Sequence, residues 1–250
     1  MTKKYSVFIS DLHLHADSTQ SDRLFGMFME YMPEKLERLF ILGDLFEYWI
    51  GDDDTSSYHQ KIIQQLATLA DQGVKLYIIT GNRDFLLGKK FLKATHAIKL
   101  SDPYPLRLYN RSMVIMHGDL LCTADTDYLR LRRYTHNRLI QWLFLHTPLC
   151  LRRRLAHKLR QKSQQHTRQK SAASLDVTEE GVNAIFQVFT RQYLIHGHTH
   201  KPGTHYINKD QQRIVLGAWH EEGSMVLCNE ETPPTLIKFQ TAHQLNDRLF

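Results

Sequence analysis

Five short polar motifs recur along this chain of 250 residues, and each contains side chains that bind metal ions in proteins. In chain order they are Asp11-Leu12-His13, Gly43-Asp44, Gly81-Asn82-Arg83-Asp84, His117-Gly118-Asp119 and Gly197-His198-Thr199-His200. They offer carboxylate, imidazole and amide groups but no thiolate, a mixture that suits manganese, iron or zinc in a hydrolytic site better than a structural zinc site. The motifs therefore predict metal-dependent hydrolysis.

The number of candidate ligands indicates two metal ions. One ion with open positions needs fewer side chains, whereas two ions that share a carboxylate use the whole set and leave room for a bridging water. Asp44 is the natural bridge, because a carboxylate has two oxygens, while a histidine normally gives its second nitrogen to another partner. The seven candidate ligands are Asp11, His13, Asp44, Asn82, His117, His198 and His200.

Each motif directly follows an apolar run that predicts a buried strand. The runs are residues 5–10, 39–42, 76–80, 113–116 and 193–196. Loops after successive strands of an open α/β sheet meet at one edge, so ligands that are distant in sequence can converge there. We assign no role at this site to ten other histidines, namely His15, His59, His96, His136, His146, His157, His166, His205, His220 and His243.

The ordered series D-x-H, G-D, G-N-[HR]-[DE], H-G-D and G-H-x-H resembles the calcineurin-like metallophosphoesterases. Within that family, residues 9–14, 43–54, 81–85, 195–202 and 216–224 are similar to a branch whose members hydrolyse UDP-2,3-diacylglucosamine in lipid A biosynthesis. The resemblance covers nearly the whole chain. It implies an α/β (α+β) fold, a sandwich of two mixed β-sheets flanked by helices, as a single domain over residues 1–250 with a helical cap inserted at about residues 120–176.

The resemblance also implies roles for the motif residues. It assigns Asp11, His13 and His200 to one metal and Asn82, His117 and His198 to the other, with Asp44 between them, and two Mn²⁺ ions are the expectation. Asp44, Arg83 and His198 are the implied catalytic residues, and a bridging metal-bound water is the implied nucleophile. That water would attack the uridylate phosphorus and give UMP and 2,3-diacylglucosamine 1-phosphate (lipid X).

Arg83 departs from the wider superfamily, which usually has a histidine at this position that can protonate an alkoxide leaving group. Arginine keeps its proton in proteins, so Arg83 can only bind negative charge. A phosphate monoester, with a second pKa of about 6, leaves without a proton where a sugar alkoxide would not. Arg83 therefore favours pyrophosphate cleavage, and the alternative is an ordinary surface ion pair with Asp84.

Further substrate contacts come from the resemblance alone. It matches Asp125, Ser163 and Lys170 in and around the cap, with Asn82, Arg83 and His198 at the metal edge. Thr167 stands where the family commonly has asparagine, which removes an amide donor from one contact with the substrate.

The segment between residues 120 and 176 interrupts the alternation of strands and loops. Residues 128–175 contain twelve Lys or Arg and no Asp or Glu, while the remainder of the chain holds 20 basic against 26 acidic residues. The whole positive excess of the chain, +6 at pH 7, therefore lies in this segment.

This segment is also amphipathic. An apolar stretch broken at Pro148 contains Leu139, Ile140, Trp142, Leu143, Phe144, Leu145, Leu149 and Leu151. Arg152, Arg153, Arg154, Lys158, Arg160 and Lys162 follow at helical spacing. Apolar bulk beside a polybasic helix predicts a helical cap that holds the acyl chains of the substrate and binds an anionic membrane surface. The alternatives are a helical hairpin with solvated charges and, for the arginines, ion pairs with the loop Gly51-Asp52-Asp53-Asp54.

Composition places the protein in a reducing compartment. With 42% hydrophobic residues the chain can bury a substantial core, and its three cysteines, Cys122, Cys150 and Cys228, show no pattern of disulfides or zinc ligands. The first residues leave no room for a signal peptide, and no apolar run is long enough to span a bilayer. We therefore expect a cytoplasmic protein that is peripheral on the cytoplasmic face of the inner membrane.

The C-terminal part predicts four short antiparallel strands, at residues 204–207, 213–216, 224–228 and 235–239, which together close a second sheet. Residues 240–250 predict a loosely held tail.

Three alternative functions remain open at the level of sequence. A nuclease would explain the basic segment, although aromatic residues are not interleaved with its cations as a single-strand groove prefers, and we expect no nucleic-acid partner. Arg83 argues against a phosphatase or cyclic-nucleotide phosphodiesterase. A non-catalytic interaction module has no use for the complete ligand set.

Overall fold

Strands and helices alternate through most of the chain in this computed structural model, which describes residues 4–54, 56–169 and 176–247, with residues 33 and 160–169 as backbone alone. The strands are β1 (Tyr5–Ile9), β2 (Leu36–Leu42), β3 (Lys75–Ile79), β4 (Ile98–Lys99), β5 (Tyr104–Leu108), β6 (Arg111–Met116), β7 (Tyr193–His196), β8 (Gly203–Tyr206), β9 (Gln212–Val215), β10 (Gly223–Cys228) and β11 (Thr235–Phe239). The helices are α1 (Thr19–Tyr31), α2 (Ser57–Asp71), α3 (Lys89–Thr95), α4 (Thr126–Thr135), α5 (Arg138–Leu145), α6 (Leu149–Gln169), α7 (Glu179–Phe189) and α8 (Ala242–Asp247).

The strands form two mixed sheets. The first sheet has the order β11-β10-β1-β2-β3-β4 and the second has the order β5-β6-β7-β9-β8. Strands β1 to β4 run parallel, and β10 pairs antiparallel with β1. In the second sheet β6, β7 and β9 run parallel, and β5 and β8 are antiparallel edges. The predicted mixed α/β fold with two mixed sheets is therefore confirmed.

The core lies between the sheets and under the helices. Along β1, Phe8 packs into a cluster that includes Ile115 and Ile195 of the second sheet, whereas its neighbours Val7 and Ile9 pack against the helices α1 and α2. This alternation follows from the two-residue period of a strand, and it explains why all of β1 is buried. Helix α7 covers the other face of the second sheet.

The five motifs lie at the carboxyl ends of β1, β2, β3, β6 and β7. These strands belong to both sheets, and they run in parallel within each sheet. The loops that follow them can therefore meet at one end of the sandwich, as the strand pattern predicts.

The basic segment forms α4, α5 and α6, and α5 ends three residues before Pro148. Most apolar side chains of α5 are exposed, among them Leu139, Trp142 and Leu143, while Phe144 is partly buried against the main core. One expectation for this segment is wrong. Arg152 does not face a membrane: it is 2% exposed, because its side chain enters the body of the protein.

Two expectations for the C-terminal part are also wrong. The four strands do not close one sheet: β8 and β9 join the second sheet, with β9 parallel to β7, whereas β10 and β11 form the edge of the first. Residues 242–247 are not a loose tail, because they form α8, whose Leu245 is fully buried in the main core. Among the residues that the structure describes, no helix is long and apolar enough to cross a membrane.

Candidate metal centre

Three side chains from opposite ends of the sequence converge beside β1. The Oδ1 atom of Asp11 lies 3.3 Å from His200 Nε2 and 4.0 Å from His13 Nε2. The two imidazole Nε2 atoms are 3.2 Å apart. These three atoms point at one another, so the loops after β1 and β7 together form one ligand group.

A second group forms around Asn82. Its Oδ1 atom lies 2.9 Å from His117 Nε2 and 3.2 Å from His198 Nδ1. Asp44 lies on the inner side of this group, with its Oδ2 atom 3.9 Å from His117 Nε2. Asp11, Asp44 and His117 also bring ligand atoms within 4.8 Å of one another, so Asp44 stands next to both groups.

The polar atoms of the two groups fit divalent cations. Asp11 is completely buried, yet its Oδ1 atom accepts no hydrogen bond from the described residues, which is costly for a carboxylate unless a cation binds it. His117 Nδ1 lies 3.0 Å from the carbonyl oxygen of Leu42. The Nε2 atom of His117 can then coordinate a metal ion, which is the arrangement typical of metal-binding histidines. The residues present therefore fit a pair of hard or borderline cations.

The backbone at the candidate ligands is held in an unusual conformation. Five of them have positive φ angles between 49° and 69°, in the left-handed region that non-glycine residues seldom adopt: Asp11, His13, Asp44, His198 and His200. Close packing also requires a glycine beside Asp11, because a Cβ atom on Gly197 would lie 2.1 Å from Asp11 Oδ2. Such strain is typical of functional sites, where surrounding packing imposes it.

The charges of the cluster act strongly on its histidines. Burial lowers the pKa of His117, but the carboxylates of Asp44 and Asp11 more than offset this effect and raise it to about 9. Burial and the charge of His117 lower the pKa of His198 to about 4. The two carboxylates therefore favour positive charge at the centre of the cluster.

Arg83 lies at the edge of the cluster. Its side chain is 32% exposed, its Nη1 atom donates to Glu47 Oε1 at 2.8 Å, and its Nε atom lies 3.7 Å from Asp44 Oδ2. The alternative of a surface ion pair with Asp84 does not hold. Asp84 is buried and accepts from the backbone N–H groups of Gly81 and Leu45 instead.

Sequence reasoning missed two residues near the ligands. Glu47 Oε2 lies 3.2 Å from His13 Nδ1, so this carboxylate contacts both a candidate ligand and Arg83. His220 is exposed at the rim, where its ring stacks on that of His13 at 5.9 Å and meets that of His200 edge-on at 6.1 Å. Neither belongs to the five motifs. Only the spacing from Asp44 to Glu47 within one loop could have pointed to Glu47.

Of the remaining predicted substrate contacts, the structure describes the side chain of Asp125 alone. Asp125 is buried at the start of α4, where its Oδ1 atom accepts a hydrogen bond from the backbone N–H of Tyr128. Lys170 lies outside the described residues, as do the side chains of Ser163 and Thr167.

Three comparisons relate this chain to known proteins. The family model described as calcineurin-like phosphoesterase matches residues 6–202. A UDP-2,3-diacylglucosamine hydrolase of Aeromonas salmonicida is 44% identical over 227 residues, which cover 90% of this chain and 89% of the relative. Its counterpart in Pseudomonas aeruginosa (strain UCBPP-PA14) is 44% identical over 220 residues, 87% of this chain and 92% of the relative. Among solved structures, an archaeal phosphodiesterase overlays with a TM-score of 0.47 and 12% identity, covering 94% of this chain and 99% of that one.

Proposed function

This chain belongs to the calcineurin-like phosphoesterase family, and from that membership we propose that it hydrolyses the pyrophosphate bond of UDP-2,3-diacylglucosamine in lipid A biosynthesis. The products are UMP and 2,3-diacylglucosamine 1-phosphate, also called lipid X. The observation that supports the proposal is the convergence of seven candidate ligand side chains from five loops, beside an arginine in place of a proton donor.

The family implies a dinuclear metal site, and we propose two Mn²⁺ ions. Asp11, His13 and His200 would hold one ion, and Asn82, His117 and His198 would hold the other. Asp44 would contact both. When bound, two such ions lower the pKa of water enough to supply hydroxide at neutral pH and neutralise charge on a phosphoryl group.

The protein's own residues limit which kind of leaving group the site can serve. Arg83 donates a hydrogen bond to Glu47, and its partly exposed guanidinium can bind the oxygens of a diphosphate as negative charge develops on the leaving phosphate. It cannot donate a proton at neutral pH, so a leaving group that needs none is required. Attack at either phosphorus of the diphosphate meets this requirement, because the group that leaves is a phosphate monoester. The assignment of attack to the uridylate phosphorus follows from the resemblance to the family.

Recognition of the sugar and its acyl chains is assigned to the cap, meaning helices α4, α5 and α6. Asp125, Ser163, Thr167 and Lys170 are the proposed contacts there, together with Asn82, Arg83 and His198 at the metal centre. Since Asp125 also caps α4, its proposed contact with the sugar would couple substrate binding to the first helix of the cap.

We also assign the exposed face of the cap to the surface of an anionic membrane. Trp142 and Leu143 lie three and four residues after Leu139 on α5, so both share a face of the helix with Leu139. All three side chains are more than half exposed. Lys158 follows on α6 and is exposed as well. Apolar area and positive charge on one element are what peripheral binding requires, and a lipid substrate is reached most directly from the membrane that contains it.

The experiment that tests this function compares metal-stripped protein with and without added Mn²⁺ on UDP-2,3-diacylglucosamine. We expect UMP and lipid X in equal amounts, detected by mass spectrometry, only when metal is present. Asp44→Ala is the matched variant and should lose at least a thousandfold in kcat/KM, because neither ion would keep its shared carboxylate. Metal-independent turnover, or hydrolysis of DNA in place of this substrate, would refute the proposal.

A further inference from the structure

The side chain of Arg152, at the start of α6, crosses from the cap into the body of the protein. Its Nη1 atom donates to the carbonyl oxygen of Ile50 at 2.7 Å and to Asp53 Oδ1 at 2.8 Å, and its Nη2 atom donates to Asp53 Oδ2. Its Nε atom donates to the carbonyl oxygen of Thr147 at 3.1 Å. Arg152 thus joins the helix to the loop with a bidentate pair, the arrangement in which a guanidinium fixes geometry most strictly.

The guanidinium of Arg152 is buried, which distinguishes this contact from an ion pair on the surface. Arg152 is 2% exposed, whereas arginine is almost never fully buried without partners that satisfy its charge and donors. The hydrogen bond from Arg152 lowers the pKa of Asp53, as expected for a carboxylate that is kept charged by its partner. Gly51, with φ of +136°, makes room for the guanidinium, because a Cβ atom there would lie 2.4 Å from Arg152 Nη1.

The loop that receives Arg152 is the same loop that carries Asp44 and Glu47. Between them and Asp53, the backbone N–H of Trp49 donates to the carbonyl oxygen of Arg83 at 3.0 Å. Asp52 then caps α3, accepting from the backbone N–H groups of Gly88, Lys90 and Phe91. The loop is therefore fixed to the metal centre at one end and to the helix after the Gly81–Asp84 motif at the other.

The opposite end of the cap is attached to the other half of the site. Arg132, on α4, donates to Asp119 at 2.6 Å and to Asp102 at 2.9 Å, and Asp102 accepts from the backbone N–H of His117. The cap is thus joined to the loop after β6 through α4 and to the loop after β2 through α6.

We propose that Arg152 and Asp53 are positioning residues that hold the cap in register with the metal centre, so that the lipid half of the substrate and its diphosphate bind at the same time. This inference rests on the proposed function for its substrate, but the contact itself does not. The pair touches no candidate ligand, so it should act on substrate binding through the cap and leave the chemical step alone.

The test uses Asp53→Asn, which keeps the buried arginine and its other acceptors but weakens the bidentate pair. Asp53 is about half exposed, so the variant should fold. Arg152→Lys is the second variant, since it keeps the charge and loses the planar fork. Arg154→Gln is the control, because it replaces an arginine at an exposed position of the same helix.

Three readouts separate positioning from a merely structural role. For Asp53→Asn and Arg152→Lys we expect hydrogen exchange in residues 138–159 to become at least tenfold faster, with no change in β1 or β2. The KM for UDP-2,3-diacylglucosamine should rise at least fivefold while kcat stays within twofold, and the affinity for Mn²⁺ should be unchanged. Arg154→Gln should match the wild type in all three when the substrate is presented in detergent.

Two results would overturn the inference. Exchange and KM like those of the wild type in Asp53→Asn would show that the pair does not hold the cap. Loss of Mn²⁺ binding in this variant would show that the pair supports the metal centre itself. Should the wild type fail to cleave the substrate, the proposed function fails, and hydrogen exchange still decides whether the pair holds the cap.

Discussion

At the scale of the residue, ligand identity and ligand geometry differ in how far sequence can predict them. The types and order of the seven candidate ligands are visible in the motifs, because carboxylate, imidazole and amide groups have distinct metal preferences. The left-handed backbone at Asp11, His13 and Asp44 is not visible there. It depends on how loops from two sheets pack, and it costs of order 1 kcal/mol or more per residue.

Glu47 illustrates a contact that no local pattern indicates, and it gives a testable prediction. Because its two oxygens contact His13 and Arg83, Glu47→Ala should free both side chains to reorient. We expect the affinity for Mn²⁺, measured by calorimetry, to fall about 10- to 100-fold, as is usual when a group that orients a ligand is removed. The value of kcat/KM should fall at least as much.

Glu37→Ala is the control for Glu47, since Glu37 pairs with Arg38 and Tyr109 instead. If Glu47→Ala bound Mn²⁺ as tightly as Glu37→Ala, Glu47 would have no orienting role at the metal centre.

At the scale of the element, strand positions follow from the sequence but strand partners do not. The predicted runs at residues 193–196 and 235–239 coincide with β7 and β11. The pattern of apolar side chains shows that a strand is buried, but it does not show which strand lies beside it. β9 and β10 both have such a pattern, yet they belong to different sheets. Their assignment to different sheets is determined by packing across the sandwich.

The partners of charged side chains in the cap are equally hard to predict from the sequence. The composition indicates the basic helix of the cap, and ion pairs with the Gly51–Asp54 loop are one of the alternatives that the sequence leaves open. Arg152 and Arg153 do pair with Asp53 and Asp54. A helical period cannot distinguish the cation that enters a neighbouring loop from the cations that stay in solvent.

His136, at the C-terminal end of α4, gives a prediction for how the stability of the protein depends on pH. The ring of His136 packs at a tilt against Phe85, with the ring centres 5.3 Å apart, and burial, assisted by the charge of Arg132, lowers the pKa of His136 to about 4. In the unfolded chain the pKa is about 6.5, so between pH 6.5 and 4 the unfolded state binds the proton more readily. The stabilisation that comes from neutral His136 is complete above pH 6.5 and is lost as the pH falls towards 4.

The measurement is urea denaturation of the wild type and His136→Gln at pH 7 and pH 5. The wild type should lose about 1–2 kcal/mol more unfolding free energy than the variant over this step. Equal losses in the two proteins would mean that His136 does not contribute to the pH dependence.

The exposed face of α5 gives a second prediction at this scale. Replacing Leu139, Trp142 and Leu143 together by serine should weaken binding to anionic vesicles at least tenfold in a flotation assay, because buried apolar area holds a peripheral helix. Stability should change little, since all three side chains are more than half exposed.

The matched control replaces Val188 and Tyr206, which are exposed elsewhere, by serine. The cap would have no special role at membranes if the control lost as much vesicle binding as the triple variant, or if the triple variant lost none.

At the scale of the whole molecule, two sheets bring together five loops that are spread over 190 residues of sequence, from Asp11 to His200. The parallel strands of each sheet present their carboxyl ends at the same end of the sandwich, and the cap is joined to both halves of the resulting site. The convergence of these loops could be predicted from the sequence, because it follows from the order of strands and loops. The sequence could not predict the contacts of the cap, which depend on single side chains that reach between elements.

The account as a whole depends on which phosphorus the metal centre attacks. The most direct measurement is hydrolysis of UDP-2,3-diacylglucosamine by the Mn²⁺-loaded protein in oxygen-18 water, with both products analysed by mass spectrometry. We predict one oxygen-18 atom in UMP and none in 2,3-diacylglucosamine 1-phosphate. Label in the sugar phosphate would contradict the account, because the other phosphorus would then be attacked and UMP would be the leaving group.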